Sequence, residues 1–140
     1  MPDPVKVLGW GKCSCDGKDD IIENSTSLSF EEGQEQEATI EGGSAEGRKK
    51  APDKYILQYK RRVGTAAEVS CGYTENAGSV TVTPEQVGAI GCTLTGCSKH
   101  VGVNFDTKDG LVEVTTWKTK GTVDANGALT DISFAAKASG

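Results

Sequence analysis

The sequence predicts an all-β domain, mainly antiparallel, built as a β-sandwich or partly closed barrel with one or two short helical turns. Three observations carry this prediction. Apolar residues alternate with polar ones at period two in several short runs. Eighteen glycines punctuate the chain between those runs, against four prolines. The two segments with helix-start signals are each cut short by a glycine.

Val5 to Cys15 reads as a first strand. Val5 and Val7 share one face, Leu8 and Trp10 the other. Asp16-Gly17-Lys18-Asp19-Asp20 is a turn. Ser27 to Phe30 is a short strand with Leu28 and Phe30 directed inward. In Glu35 to Glu41 the alternation puts Ala38 and Ile40 on one face. Glu35, Glu37, Thr39 and Glu41 fall on the other, a row of carboxylates on a wet surface. Gly42 to Lys50 has no apolar period and reads as a mobile excursion. Tyr55, Leu57 and Tyr59 share a face in the strand over residues 54–63. Residues 35–41 and 54–63 are therefore expected to be the arms of one hairpin, with a long flexible basic loop over about 42–52 at its tip.

Thr65-Ala66-Ala67-Glu68 and Thr83-Pro84-Glu85-Gln86 fit the capping-box pattern, and Pro84 takes the favoured first position. Ser79 to Thr83 is a strand between them. Further on, Val101, Val103 and Phe105 alternate. Val112 and Val114 alternate after the turn at 106–110, with Leu111 and Trp117 opposite. Asn126-Gly127 is the strongest hairpin signal in the chain. Ile132, Phe134 and Ala136 then share a face. These runs predict a three-strand meander with a bulge at Gly121.

The 140 residues fit one domain, 1–140. A chain of this size buries about 68–70% of its unfolded surface, so folding requires neither metal nor disulfide. The net charge of −5 argues against gripping nucleic acid through bulk charge. No signal peptide and no membrane span are expected. Five cysteines, an odd number, predict reduced thiols and folding in a cytoplasm.

Chemistry is sparse. Cys92, Cys97 and His100, with Cys13, Cys15 or Cys71 as a fourth ligand, do not match zinc spacings. Cys13 and Cys15 share a strand face and are poorly placed to chelate one ion. The acidic sets Asp16, Asp19, Asp20 and Asp106, Asp109, Glu113 lack the EF-hand spacing. His100 has no nameable partner as a base, and no nucleophile elbow surrounds Ser98. The expectation is no catalytic residue, no metal and no cofactor.

What remains is surface. A glycine-flanked tip bearing Arg48, Lys49 and Lys50 gains nothing from order in an isolated monomer. It gains from an acidic surface on a neighbouring copy. Glutamate rows arrayed around an axis would line a bore to which DNA does not stick. The plainer account is a solvated charge run and an ordinary loop.

The chain resembles a known family in Thr26 to Gly33, Glu37-Ala38-Thr39-Ile40-Glu41-Gly42-Gly43, Lys54-Tyr55-Ile56-Leu57-Gln58-Tyr59 and the closing hairpin at Asp109 to Val114. Together these resemble the tail tube proteins of bacterial viruses. The resemblance implies a small β-domain that stacks as rings, commonly hexameric, around a channel for DNA. It implies identical subunits and other tail proteins as partners, DNA only in passing, no membrane and a place in the virion. Residues 42–52 match the loop that reaches the adjacent ring: Gly42, Gly43, Glu46, Arg48, Lys49 and Lys50. Glu35, Glu37 and Glu41 are its candidate lumen carboxylates, and Trp10 and Trp117 candidate interface aromatics. The helix usually packed on such a barrel is hard to place, and five cysteines are more than expected. Competing readings are a capsid decoration or connector protein, a carbohydrate-binding module using Trp10, Trp117 or Tyr73, and, least supported, an enzyme.

Overall fold

In the computed structural model, residues 9–39 and 45–139 are described. Strands make up 57% of the described residues, and the described helix is one 3-10 turn, Ala66–Glu68. The strands are β1 (Cys13–Cys15), β2 (Ser27–Glu31), β3 (Glu35–Thr39), β4 (Ala45–Lys50), β5 (Lys54–Arg62), β6 (Gly72–Pro84), β7 (Ile90–Asp106), β8 (Gly110–Lys118) and β9 (Ile132–Ala136). All pairings are antiparallel. The main sheet runs β1-β6-β7-β8-β5-β2 and curls into a half-barrel. β3 and β4 form a separate two-stranded ribbon.

Strand parity fixes what the curl encloses. Leu57 stands opposite Trp117 and Tyr59 opposite Thr115 across β5 and β8. Val80 faces Leu94, and Val82 faces Cys92 on one side and Cys15 on the other. These residues, with Cys97, are almost completely buried. Trp117 Nε1 donates to the Tyr59 hydroxyl at 3.0 Å, satisfying two polar tips inside an apolar core. The curl also brings the ends of the sheet together. Asn24 N donates to Gly11 O at 2.8 Å and Ile22 N to Lys60 O at 2.8 Å, so the chain between β1 and β2 spans the open side.

β7 changes parity along its length. Cys92 and Leu94 face inward near its start, whereas Cys97 and Lys99 do so further on. The switch is a bulge: Gly78 pairs with Cys97 and Val80 with Leu94, which leaves an extra residue on β7. Gly96, at φ 61°, supplies the left-handed residue that the bulge requires. β6 lines one edge of β7, and β8 and β9 lie end to end along the other. β9 therefore pairs with β7, and the expected meander closes differently from its sequence order.

Several local expectations hold. Asp16 and Gly17, at φ 54° and 73°, make a two-residue hairpin turn between Cys15 and Lys18. Asp124 to Gly127 turns as expected but is flanked by a single bridge, Val123 to Leu129. Other expectations change. Ala66–Glu68 makes one turn without a side-chain cap from Thr65. Thr83 and Pro84 end β6, and no helix follows them. Gly121 lies past β8 at φ 84°, outside any strand. Phe30 and Phe134 are 55% and 54% exposed, so neither fills the core. Val5 to Leu8 fall outside the described residues.

Candidate functional site

The ribbon is where the structure departs most from the pattern of the sequence. β3 pairs with β4, and β5 pairs with β2 and β8. The expected pairing of 35–41 with 54–63 is therefore replaced. Register explains why. Glu31 opposes Lys54 in the first pair, and Glu35 opposes Lys50 in the second, four residues further along each arm. The two pairs are one long hairpin with an interruption at its waist, not a short one with a long tip. Its apolar part joins the sheet; its charged part leaves it.

The waist is held tightly. Gly33 N donates to Asp53 Oδ1 at 2.8 Å, and Ala51 N donates to Gln34 O at 2.8 Å. A Cβ on Gly33 would overlap the Ala51 carbonyl, so only glycine lets the two arms approach this closely. Gly121 seats the waist on the barrel: a Cβ there would lie 2.5 Å from Pro52 Cβ and 2.8 Å from Asp53 O.

Beyond the waist the register sets charges of opposite sign across from one another. Glu35 opposes Lys50 and Glu37 opposes Arg48; Gln36 opposes Lys49. The acidic row and the basic run, expected on separate surfaces, are thus two arms of the same ribbon. Glu46, Arg48, Lys49 and Lys50 belong to β4 and not to a loop tip. Glu41, Gly42 and Gly43 lie outside the described residues.

The half-barrel also leaves open edges. Among the described residues no strand pairs with the side of β2 turned away from β5, or with the side of β9 turned away from β7. Each carries an exposed phenylalanine, Phe30 on β2 and Phe134 on β9. Phe30 rests on Tyr55, ring centroids 5.4 Å apart. Phe134 opposes Cys92 and so extends the core face beyond the core itself.

One end of the enclosed face is charged. Arg61 follows the inward parity of Leu57 and Tyr59 and stands opposite Glu113. Its guanidinium lies 3.0 Å from Asp20, 3.4 Å from Glu113 and 3.6 Å from Glu68; Lys18 lies 3.8 Å from Glu113. The hydrogen bond to Asp20, and then that to Glu113, hold Arg61 ionised beyond its already high ordinary range. Sequence reading missed this group, though strand parity alone points to it.

The remaining candidates separate. Trp117 is 2% exposed and belongs to the core, so it is neither an interface anchor nor a sugar platform. Trp10 is half-buried, and its Nε1 donates to Ile90 O at 2.6 Å. Tyr73 is exposed and meets His100 edge-on at 6.1 Å. Cys92 and Cys97 are buried while Cys71 is exposed. Among the described residues no three metal-ligating side chains converge. The turn carboxylates pair with cations instead: Asp16 with Lys99 at 3.4 Å, Asp20 with Arg61, and Asp109 with Arg62 at 2.8 Å. No described helix is long and apolar enough to cross a membrane.

Compared with known proteins, the chain matches no family model and no curated protein.

Proposed function

We propose that this chain is a structural subunit that assembles with copies of itself, in the manner of the stacked-ring tail tubes its sequence resembles. The observation that carries the reading is the β3–β4 ribbon. A two-stranded hairpin is at best marginally stable in water unless a third surface packs on it. Among the described residues the ribbon pairs as its own two-stranded element and is clamped at its waist. A neighbouring copy provides the missing surface.

The open edges of β2 and β9 support the same reading. They are different surfaces on one chain, so a contact joining them is head-to-tail and makes rings when the rotation closes. In that assembly DNA passes through without being held, consistent with the net charge of −5. The role involves the virion, other tail proteins and no catalysis.

Sedimentation velocity over a range of concentrations, with negative-stain imaging of the same samples, tests it. The expected result is a concentration-dependent species that images as rings or tubes, and its loss in Phe134→Ser. A monomer at every concentration overturns the reading.

A further inference from the structure

Two of the five cysteines are set apart by their surroundings. Cys13 and Cys15 sit two apart on edge strand β1, so parity puts both side chains on one face. Their sulfurs are 3.9 Å apart. The Thr26 hydroxyl, reaching in from the far edge of the sheet, lies 3.2 Å from Cys13 Sγ and 3.8 Å from Cys15 Sγ. Cys15 is fully buried, whereas Cys13 lines an open pocket of about 250 Å³. Cys13 is thus the partly exposed member of the pair, and Cys15 stands behind it.

We propose that Cys13 and Cys15 are a reactive dithiol that exchanges with low-molecular-weight disulfides, Cys13 attacking and Cys15 resolving. The Cys13 thiolate attacks one sulfur of the small disulfide. A Cys13 mixed disulfide forms, and the first small thiolate leaves and takes a proton from water. Cys15 then loses its proton to solvent, and its thiolate attacks Cys13 Sγ. The second small thiolate leaves and takes the proton that Cys15 gave to solvent, and the intrachain disulfide closes. Two electrons pass from the pair to the small disulfide, which becomes two small thiols.

The electrostatics agree with this division of labour. The hydrogen bond with Cys15 is the largest influence on Cys13 and brings its thiol down to about 6, with Thr26 adding to it and burial opposing. The same bond, then burial, push Cys15 upward. The ionisable groups around Cys13 are Lys12 just before β1, Asp19 beyond the turn, Glu85 after β6, Lys137 after β9, and the Cys15 and Cys92 thiols. Lys12 is 3.9 Å from Glu85, so cation and carboxylate largely offset one another at the mouth.

Geometry makes the product reversible. Two strand residues span about 6.6 Å between Cα atoms. That is the upper end of the ~4.4–6.8 Å that a disulfide accepts. The bond closes only if β1 tightens, which an edge strand of three residues permits. A bond closed under strain is readily reduced.

The test uses the wild-type chain first. Alkylation by iodoacetamide is followed by peptide mass mapping between pH 5 and 9. A thiol with pKa near 6 reacts on the order of tenfold faster at pH 6 than an ordinary one, after allowing for its weaker nucleophilicity. Cys13 is expected to show that excess over the same cysteine in the urea-unfolded chain. With oxidised glutathione, the wild type is expected to lose two hydrogens and give a Cys13–Cys15 cross-link. Cys15→Ser keeps the proton donor and should trap glutathione on Cys13. Cys15→Ala should also trap it, but lose the excess at pH 6. The proposal is overturned if Cys13 in the folded wild type reacts no faster at pH 6 than in the unfolded chain. It is equally overturned if glutathione goes first to Cys71, or stays on Cys13 of the wild type without closing.

Discussion

Replacing Arg61 with leucine is expected to be among the most damaging single changes in the molecule. Glu113 is 3% exposed, and its closest partner is the Arg61 guanidinium at 3.4 Å. At an effective dielectric of about 20 that separation corresponds to roughly 5 kcal/mol of gross attraction. Most of this offsets the several kcal/mol that each ion loses on leaving water, so the intact pair stabilises the fold little. Removing one member is different, because the desolvated carboxylate stays behind. Lys18 remains 3.8 Å away, with a side chain that is 36% exposed and a correspondingly screened charge. The cost of Arg61→Leu is therefore about 3–5 kcal/mol, near the lower end because of Lys18. With a urea dependence of ~1–3 kcal/mol per molar, the midpoint falls on the order of 1–3 M. Tryptophan fluorescence reports the transition, since Trp117 lies in the core. The double variant Arg61→Leu, Glu113→Leu is expected to be more stable than Arg61→Leu alone. A single variant within about 1 kcal/mol of wild type, or a double variant worse than the single, refutes the reasoning.

Three further outcomes follow from the structure. Burial pushes the Cys92 and Cys97 thiols up to about 11 from 9.0. Between pH 9 and 11 the unfolded chain has lost these protons and the folded chain keeps them, so the stability present below pH 9 declines by about 2–3 kcal/mol per thiol. Urea midpoints measured across that window should fall less steeply in Cys92→Ala than in wild type. Gly121→Ala should cost more than Gly17→Ala by urea unfolding. Both have positive φ, worth about 1–2 kcal/mol for a residue with a Cβ, but only Gly121 would also press on Pro52 and Asp53. In the ribbon, Glu37→Arg should lower stability or assembly by about 0.5 kcal/mol, and the exchange Glu37→Arg, Arg48→Glu should restore most of it. Failure of that rescue would place the two positions out of register.

Much of the sheet was legible because its inner face is apolar and its outer face polar. Leu57 and Tyr59, or Val80 and Val82, announce both strand and facing at once. The long hairpin was harder. β4 reads Ala-Glu-Gly-Arg-Lys-Lys, which has no apolar member beyond its first residue to reveal a period of two. Its only signal is complementarity to Glu35 and Glu37 under antiparallel pairing, and that appears only once the register of β2 and β5 is known. The parity switch at Gly96 was not legible at all. It puts Cys92 and Cys97 on one face although they are an odd number of residues apart, and it leaves His100 outside. Phe30 and Phe134 obey the alternation yet stay exposed, because alternation reports facing and not whether anything covers the face. Arg61 and Glu113 were passed over because charge was read as solvated surface, although each continues an inward parity.

The central claim is that the β3–β4 ribbon is completed by another copy of the chain. Amide hydrogen exchange of residues 35–39 and 45–50, followed from dilute to concentrated protein, tests it most directly. Slow exchange that develops only as the assembly forms is the predicted result. Ribbon amides equally protected in dilute monomer would contradict it, since the hairpin would then need no partner.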